Sequence, residues 1–230
     1  FTDEPRLHNR NLLPYPEYEG NTTLAYTDDF SDTFAEAYGI PFLDILPEVL
    51  WELPDGRPNT RRYAYNDHLA ERFASSYSDQ IGAWCEAHGI ASTGHLLSER
   101  TLFQQTYRLS EAMRQYRSYQ IPGIDILCGD LEYSTAKQAV SVARQLNREG
   151  VISELYGVTN WDHTFKGHKL QGDWQAALGI TLRVHHLSYM SMAGEGKRDW
   201  PGSIFYQSPW YKKYEAIETH FARLNTALTR

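Results

Sequence analysis

A parallel α/β fold is the architecture this sequence predicts, and three observations predict it. Amphipathic helical stretches alternate with short apolar strands roughly five times along the chain. Three junctions repeat one order, helix then glycine then apolar run: WCEAHGIASTGHLL at 84–97, ARQLNREGVISELYG at 143–157 and DWQAALGITLRVHHLSY at 173–189. Each strand closes on ionisable or hydrogen-bonding residues. Strands joined through helices pair in parallel by right-handed crossovers, and a complete eight-unit barrel takes ~250 residues. The 230 residues therefore read as the C-terminal five or so units of a (β/α)8 TIM-type barrel, with the first three strands and any accessory β-domains outside the chain. A doubly wound open sheet is the alternative. It lacks the Gly-rich phosphate loop expected after a strand.

Taken in order, a first strand ends in FTDEP. The stretch 5–65 interrupts the alternation. It holds PYPEYEGNTT, a short helix at 29–38 closed by Gly39, and a Pro-rich run to Arg62. A long excursion of this kind after a barrel strand reads as an inserted loop carrying small helices over the active face. Strands are expected at 90–93, 123–127, 151–155 and 180–187, and helices at about 66–88, 106–118, 135–149, 166–178 and 209–228. Thr135 is the expected N-cap of the third helix. Gly89, Gly150 and Gly179 stand where helix C-termini call for a left-handed residue.

A formal net charge of −7 argues against a nucleic-acid or anionic-membrane partner, both of which attract a basic face. No apolar run approaches the ~18 residues of a transmembrane helix. No signal peptide is visible, yet the chain opens on Phe1 as if cut from something longer, so the compartment stays open. The two cysteines, Cys85 and Cys128, give neither a disulfide framework nor metal spacing and read as buried thiols. Sixteen Tyr and six Trp suit the stacking of flat, partly polar ligands such as sugars, and equally suit an ordinary core and rim.

In a parallel barrel, chemistry sits at the carboxyl ends of the strands. Those ends carry Asp3 and Glu4, then His95 with Glu99 beyond it, then Asp125 with Asp130 beyond it, then Glu154, then His185 and His186. Glu4 and Glu154 fall three strands apart and face one another across the pocket of such a barrel. Paired carboxylates cleave glycosidic bonds, one as acid and the other as nucleophile or base. An ion pair between Glu154 and Arg183, and a capping role for Glu4, are the structural alternatives. His95 and one of His185 and His186 suit substrate hydroxyls, since neighbours on a strand point to opposite faces. Asp3 and Asp125 complete the polar lining, and Tyr156, Trp161 and Tyr189 would form stacking walls. The segment 194–211, with Lys197, Arg198 and Asp199 among aromatics, reads as a loop folded over the pocket.

The phrases AYTDDFSDTFAEAYGIPFLDILPEVL, IGAWCEAHGIASTGHLL, VARQLNREGVISELYGVTNWD and DWQAALGITLRVHHLSYMSMAG, in that order after FTDEP, resemble the catalytic barrel of bacterial α-L-rhamnosidase-type glycoside hydrolases of family 106. The resemblance covers most of the chain as short motifs, of which the unit around Glu154 is the most specific. It implies hydrolysis of a terminal sugar, of α-L-rhamnoside type, from a polysaccharide or glycoside. It implies an inverting mechanism with Glu4 as acid and Glu154 as base. It also implies a calcium ion near the sugar hydroxyls, although no cofactor is required by the two-carboxylate reaction. His95, in TGHLL, stands where that family places a carboxylate, which removes an oxygen ligand for such an ion. Two other readings remain: a metal-dependent barrel hydrolase using His95, His185 or His186 with Asp125, and a carbohydrate-binding barrel without catalysis.

Overall fold

A computed structural model describes residues 1–7, 22–186, 188–195, 198, 200–202 and 204–229. Most of PYPEYEGNTT, together with Leu187, Lys197 and Asp199, lies outside the described residues. The fold is α/β. Five parallel strands, β1 (Thr2–Asp3), β2 (Thr93–His95), β3 (Ile121–Ile126), β4 (Ile152–Leu155) and β5 (Leu182–His185), lie side by side in sequence order. That order has no reversal point, whereas a doubly wound sheet turns back on its first strand. The sheet is thus wound in one sense, as in a sector of a barrel.

Strand alternation decides what each face carries. On β3, Ile124 and Ile126 enter the main core, while Gly123 and Asp125 face the other way. Facing the isoleucines is α7 (Tyr133–Gln145), whose Ala136, Ala139, Val140 and Ala143 recur at helical spacing and are buried in the same cluster. Small side chains on that stripe let the helix come close to the sheet. On the opposite face β4 and β5 present Ile152, Glu154, Leu182 and Val184 in register.

The excursion is more than a loop. Helices α1 (Phe30–Tyr38) and α2 (Phe42–Leu50) bury Phe30, Phe34, Phe42, Ile45 and Val49 against Tyr65 and Leu69 of α3 (Thr60–Phe73), forming a second core that mixes aromatic rings with aliphatic side chains. Gly39 closes α1 at φ 68° as expected. Helix α3 passes through a π-helical turn, Ala74–Ser78, into α4 (Asp79–Ala87).

Several expected boundaries move. The helix expected over 106–118 is two, α5 (Leu102–Arg108) and α6 (Ala112–Tyr116), broken where Ser110 takes φ 60°. Thr135 does not cap α7: Glu132 holds the N-cap position, and the buried Thr135 hydroxyl donates to its Oε2 at 3.0 Å. The helix ends early because Asn147, not Gly150, takes the left-handed conformation, at φ 52°. Asn tolerates that region by bonding locally. Gly150 is instead required by crowding, since a Cβ there would collide with the Thr181 hydroxyl. Helices α8 (Phe165–Leu178) and α9 (Glu215–Leu228) complete the helical layer, α9 following a short 3-10 turn, Tyr211–Lys213. Cys85 is buried, but Cys128 is exposed, because its φ of 58° turns it out of the strand end.

Candidate functional site at the strand ends

The polar groups expected at the strand ends converge on His95. Parallel pairing sets Asp3 opposite His95 and Asp125 opposite Glu154. Close approach of β1 and β2 needs Gly94, whose Cβ would overlap Thr2. His95 is 1% exposed, its ring in an edge-to-face arrangement with that of Phe1, centroids 5.4 Å apart. Its Nε2–H donates to Glu154 Oε2 at 2.7 Å and lies 3.4 Å from Asp3 Oδ1. Its Nδ1 sits 3.9 Å from Asp125 Oδ2, beyond hydrogen-bond range. Nδ1 of His95 and Oδ1 of Asp125 are both buried without a partner among the described residues.

These contacts separate the ionisation of the two neighbouring carboxyls. The His95 hydrogen bond holds Glu154 below the usual carboxylate range against the opposing effect of burial. Burial pushes Asp125 up to about 7; the charges of Glu154, Glu4 and Asp3 add to the rise and His95 opposes it. Burial pulls His95 down, but the Glu154 bond and the charges of Asp125, Glu154 and Glu99 outweigh it and leave the imidazole raised. Behind the ring, Glu99 is buried and pushed to about 7, even though it accepts from Tyr116 Oη at 2.9 Å and Leu96 N–H at 3.1 Å. Glu99 acts on His95 through its charge, a neighbour that spacing alone did not single out. Its only sequence signal was its position four residues beyond His95.

Glu4 ends β1 in a left-handed conformation, φ 45°, and is exposed. Non-glycine residues in that region cost energy and gather at functional sites. Asp3 also lies near Glu154: ligand atoms of Asp3, His95 and Glu154 all lie within 4.8 Å of one another. This donor set, one imidazole and two carboxylates, does not fit the calcium implied by the resemblance, which takes ~6–8 oxygen ligands. It has the mixed nitrogen and oxygen character of zinc-type sites.

Not every expected residue reaches the rim. Tyr156 is fully buried on the helix side, against His168 at 4.6 Å and His185 at 5.4 Å, so it is no stacking wall. The reason is its φ of 77°, which turns the chain immediately after β4. His185 also faces the helices, 3.0 Å from Glu218 Oε1. Arg183, on the same side of β5, donates to Glu218 at 2.8 Å, so the alternative pairing of Arg183 with Glu154 is not made. His186 is the member of the pair on the Glu154 side: its charge acts on Glu154, and its ring would meet a Cβ on Gly157 at 2.6 Å. Trp161 and Tyr189 do form a half-buried aromatic pair, ring centroids 5.2 Å apart. The Tyr189 hydroxyl donates to Trp200 O at 3.2 Å and accepts from Gly202 N–H at 3.1 Å, and Asn160 N–H donates to Pro201 O. Residues 200–202 are thereby fastened to the loops after β4 and β5. Asp130 pairs with Arg100 at 3.3 Å, away from His95.

No protein-family model matches the chain, and no curated protein sequence matches it. Among the described residues no helix is long and apolar enough to cross a membrane. Fold and site together define an α/β protein whose one-sense parallel sheet gathers three carboxylates and a buried histidine at its strand ends.

Proposed function

We propose that the protein is a glycoside hydrolase built on a sector of a (β/α)8 barrel and acting on a terminal sugar, of α-L-rhamnoside type, in a polysaccharide or glycoside. One observation carries the reading: a carboxylate held ionised by a histidine, Glu154, stands in register beside a carboxyl raised to about 7, Asp125. A carboxylate held ionised is what a base or nucleophile requires, and a neighbouring carboxyl that keeps its proton to about neutral pH can donate a hydrogen bond to a sugar hydroxyl. In this reading Glu154 is the base or nucleophile, and Glu4, exposed at the end of β1, protonates the leaving oxygen. Asp3, His95, Asp125 and His186 bind sugar hydroxyls, while Trp161 and Tyr189 offer ring faces to the C–H side of the sugar. No cofactor enters these steps.

The stereochemical outcome follows the gap between the working carboxyls. About 5–5.5 Å goes with retention and ~6.5–9.5 Å with inversion. An Asp3–Glu154 pair, with oxygens within 4.8 Å, fits the narrow class, so the inverting outcome implied by the resemblance needs Glu4 as the acid. Turnover of chromogenic glycosides by the wild type, Glu4→Gln, Asp3→Asn and Glu154→Gln, with the anomer of the first product read by NMR, tests both the activity and the assignment.

The Asp3, His95 and Glu154 donor set favours a second reading, metal-dependent hydrolysis. In that case activity is lost on chelation and restored by zinc. Under the glycosidase reading chelation leaves turnover unchanged.

A further inference from the structure

Away from the strand ends, a cleft of about 520 Å³ opens between the 3-10 turn Pro54–Gly56, the first half of α3 and the break between α5 and α6. That volume lies in the ~300–1,000 Å³ range of small-molecule sites. Two polar atoms of its lining residues, Asn66 Oδ1 and Ser110 Oγ, are buried without a hydrogen-bond partner among the described residues. Buried polar atoms are nearly always satisfied, and leaving one unpaired costs about 1–3 kcal/mol. The Asn66 amide cannot cure this by turning over: its Nδ2 already donates to Arg62 O at 2.9 Å, which leaves Oδ1 pointing to an absent donor. Ser110 is held in a left-handed conformation at φ 60°, strain of the kind that accompanies binding sites.

Most charges of the cleft are used internally. Arg62 pairs with Glu52 at 2.9 Å, and Arg114 joins Asp67 at 2.7 Å to Glu111 at 2.8 Å. With Arg57 added, the lining holds two cations against three anions, and Arg114 offsets the difference. An ionic ligand therefore finds no net field. Apart from the exposed Arg57 guanidinium, what remains unsatisfied is neutral: an amide carbonyl that needs a donor and a hydroxyl that can give or accept. Beside them the Tyr63 ring is 70% exposed, a large flat surface with no core to cover. Hydroxyl donors on an apolar ring face are the complement of these features.

We propose that this cleft binds a neutral carbohydrate, with Tyr63 as the stacking platform and Asn66 and Ser110 as its hydrogen-bond partners. The ligand class follows from the cleft alone, because none of its lining residues belongs to the strand-end cluster, so it stands or falls separately from the glycosidase reading.

The test is a site-resolved titration of the full isotope-labelled chain, followed by amide and side-chain NMR shifts. Cellotetraose, xylotetraose and mannotetraose are the neutral probes and tetragalacturonate is the charged control. At least one neutral probe should shift the Asn66 side-chain amide and the Ser110 backbone amide. Tyr63→Ala should weaken that binding at least tenfold, and Asn66→Leu and Ser110→Ala at least threefold each. Because Tyr63 is exposed, its alanine variant keeps the fold, and turnover of a small chromogenic glycoside, where present, stays at the wild-type rate. The proposal is overturned if no neutral probe shifts these groups, if only strand-end residues shift, if Tyr63→Ala leaves affinity unchanged, or if tetragalacturonate binds more tightly.

Discussion

His95 Nε2 and Glu154 Oε2 meet at 2.7 Å across two strand positions, with the imidazole almost wholly enclosed. The contact joins residues 59 apart in sequence and fixes the ionisation of the carboxylate on which the catalytic reading rests. A buried pair of this kind is weak evidence for stability, yet removing one partner strands the other.

His95→Ala should accordingly destabilise the fold by about 3–5 kcal/mol, measured by urea unfolding at pH 6. A loss under about 1 kcal/mol, the level of an exposed pair, would show that the two groups are not coupled in solution.

The pH dependence of stability has a sign for each group. His95 is raised in the folded state, so its contribution is complete below its unfolded value of 6.5 and is lost as pH rises through the folded value. Glu154 is lowered, so its contribution is present above 4.5 and is lost as pH falls through the folded value. The pair therefore stabilises most between 4.5 and 6.5. Asp125 runs oppositely to Glu154: unfolded chains release its proton near 3.8 and the folded protein only near 7, so stability falls across that span as pH rises. Asp125→Asn removes this fall and should raise stability at pH 8 relative to pH 4 by roughly 2–4 kcal/mol. Unfolding curves at the two pH values check it, and an unchanged difference would mean that Asp125 ionises as an exposed acid does.

On the helix side, His168 is fully buried and its imidazole is pulled down to about 4, chiefly by burial. The unfolded chain takes up a proton near 6.5, so stability is lost as pH falls from 6.5 towards 4. His168→Gln should flatten that acid limb. Tm measured from pH 7 to 4 reports it, and an equally steep limb in the variant would place the acid sensitivity elsewhere.

Gly172 of α8 lies against the Phe221 ring of α9, and a Cβ there would overlap the ring. Arg183 covers the same ring, 3.9 Å from its centroid. Gly172→Ala should cost about 1–3 kcal/mol by overpacking, seen as a lower urea midpoint. A gain in stability, as expected for alanine at an open helical site, would show that α9 is not seated on α8.

How much of this was readable in the sequence depended on the range of the interaction. Glycine after a helix and an apolar run before a carboxylate are local signals, and they located β3, β4, β5 and the helices between them. The strand-end rule gathered Asp3, His95, Asp125 and Glu154 before any distance was known. Directions turned on single backbone angles. The φ of Tyr156 sends its ring into the helix layer, and no pattern of residue types reports that angle. The partner of Arg183 is Glu218 on α9, a contact made only when a distant helix docks. The run 30–49 read as an inserted loop carrying small helices; that it builds a core of its own was not legible, because its hydrophobic partners, Tyr65 and Leu69, lie on a later helix.

The central claim is that Glu154 is the carboxylate that turns over a glycosidic bond. Its most direct test is kcat/KM on the best accepted chromogenic glycoside for the wild type and Glu154→Gln, with circular dichroism confirming that both are folded. The account predicts a loss of about 10²–10⁴-fold with an unchanged spectrum. A folded Glu154→Gln protein that hydrolyses the same glycoside at the wild-type rate would contradict it.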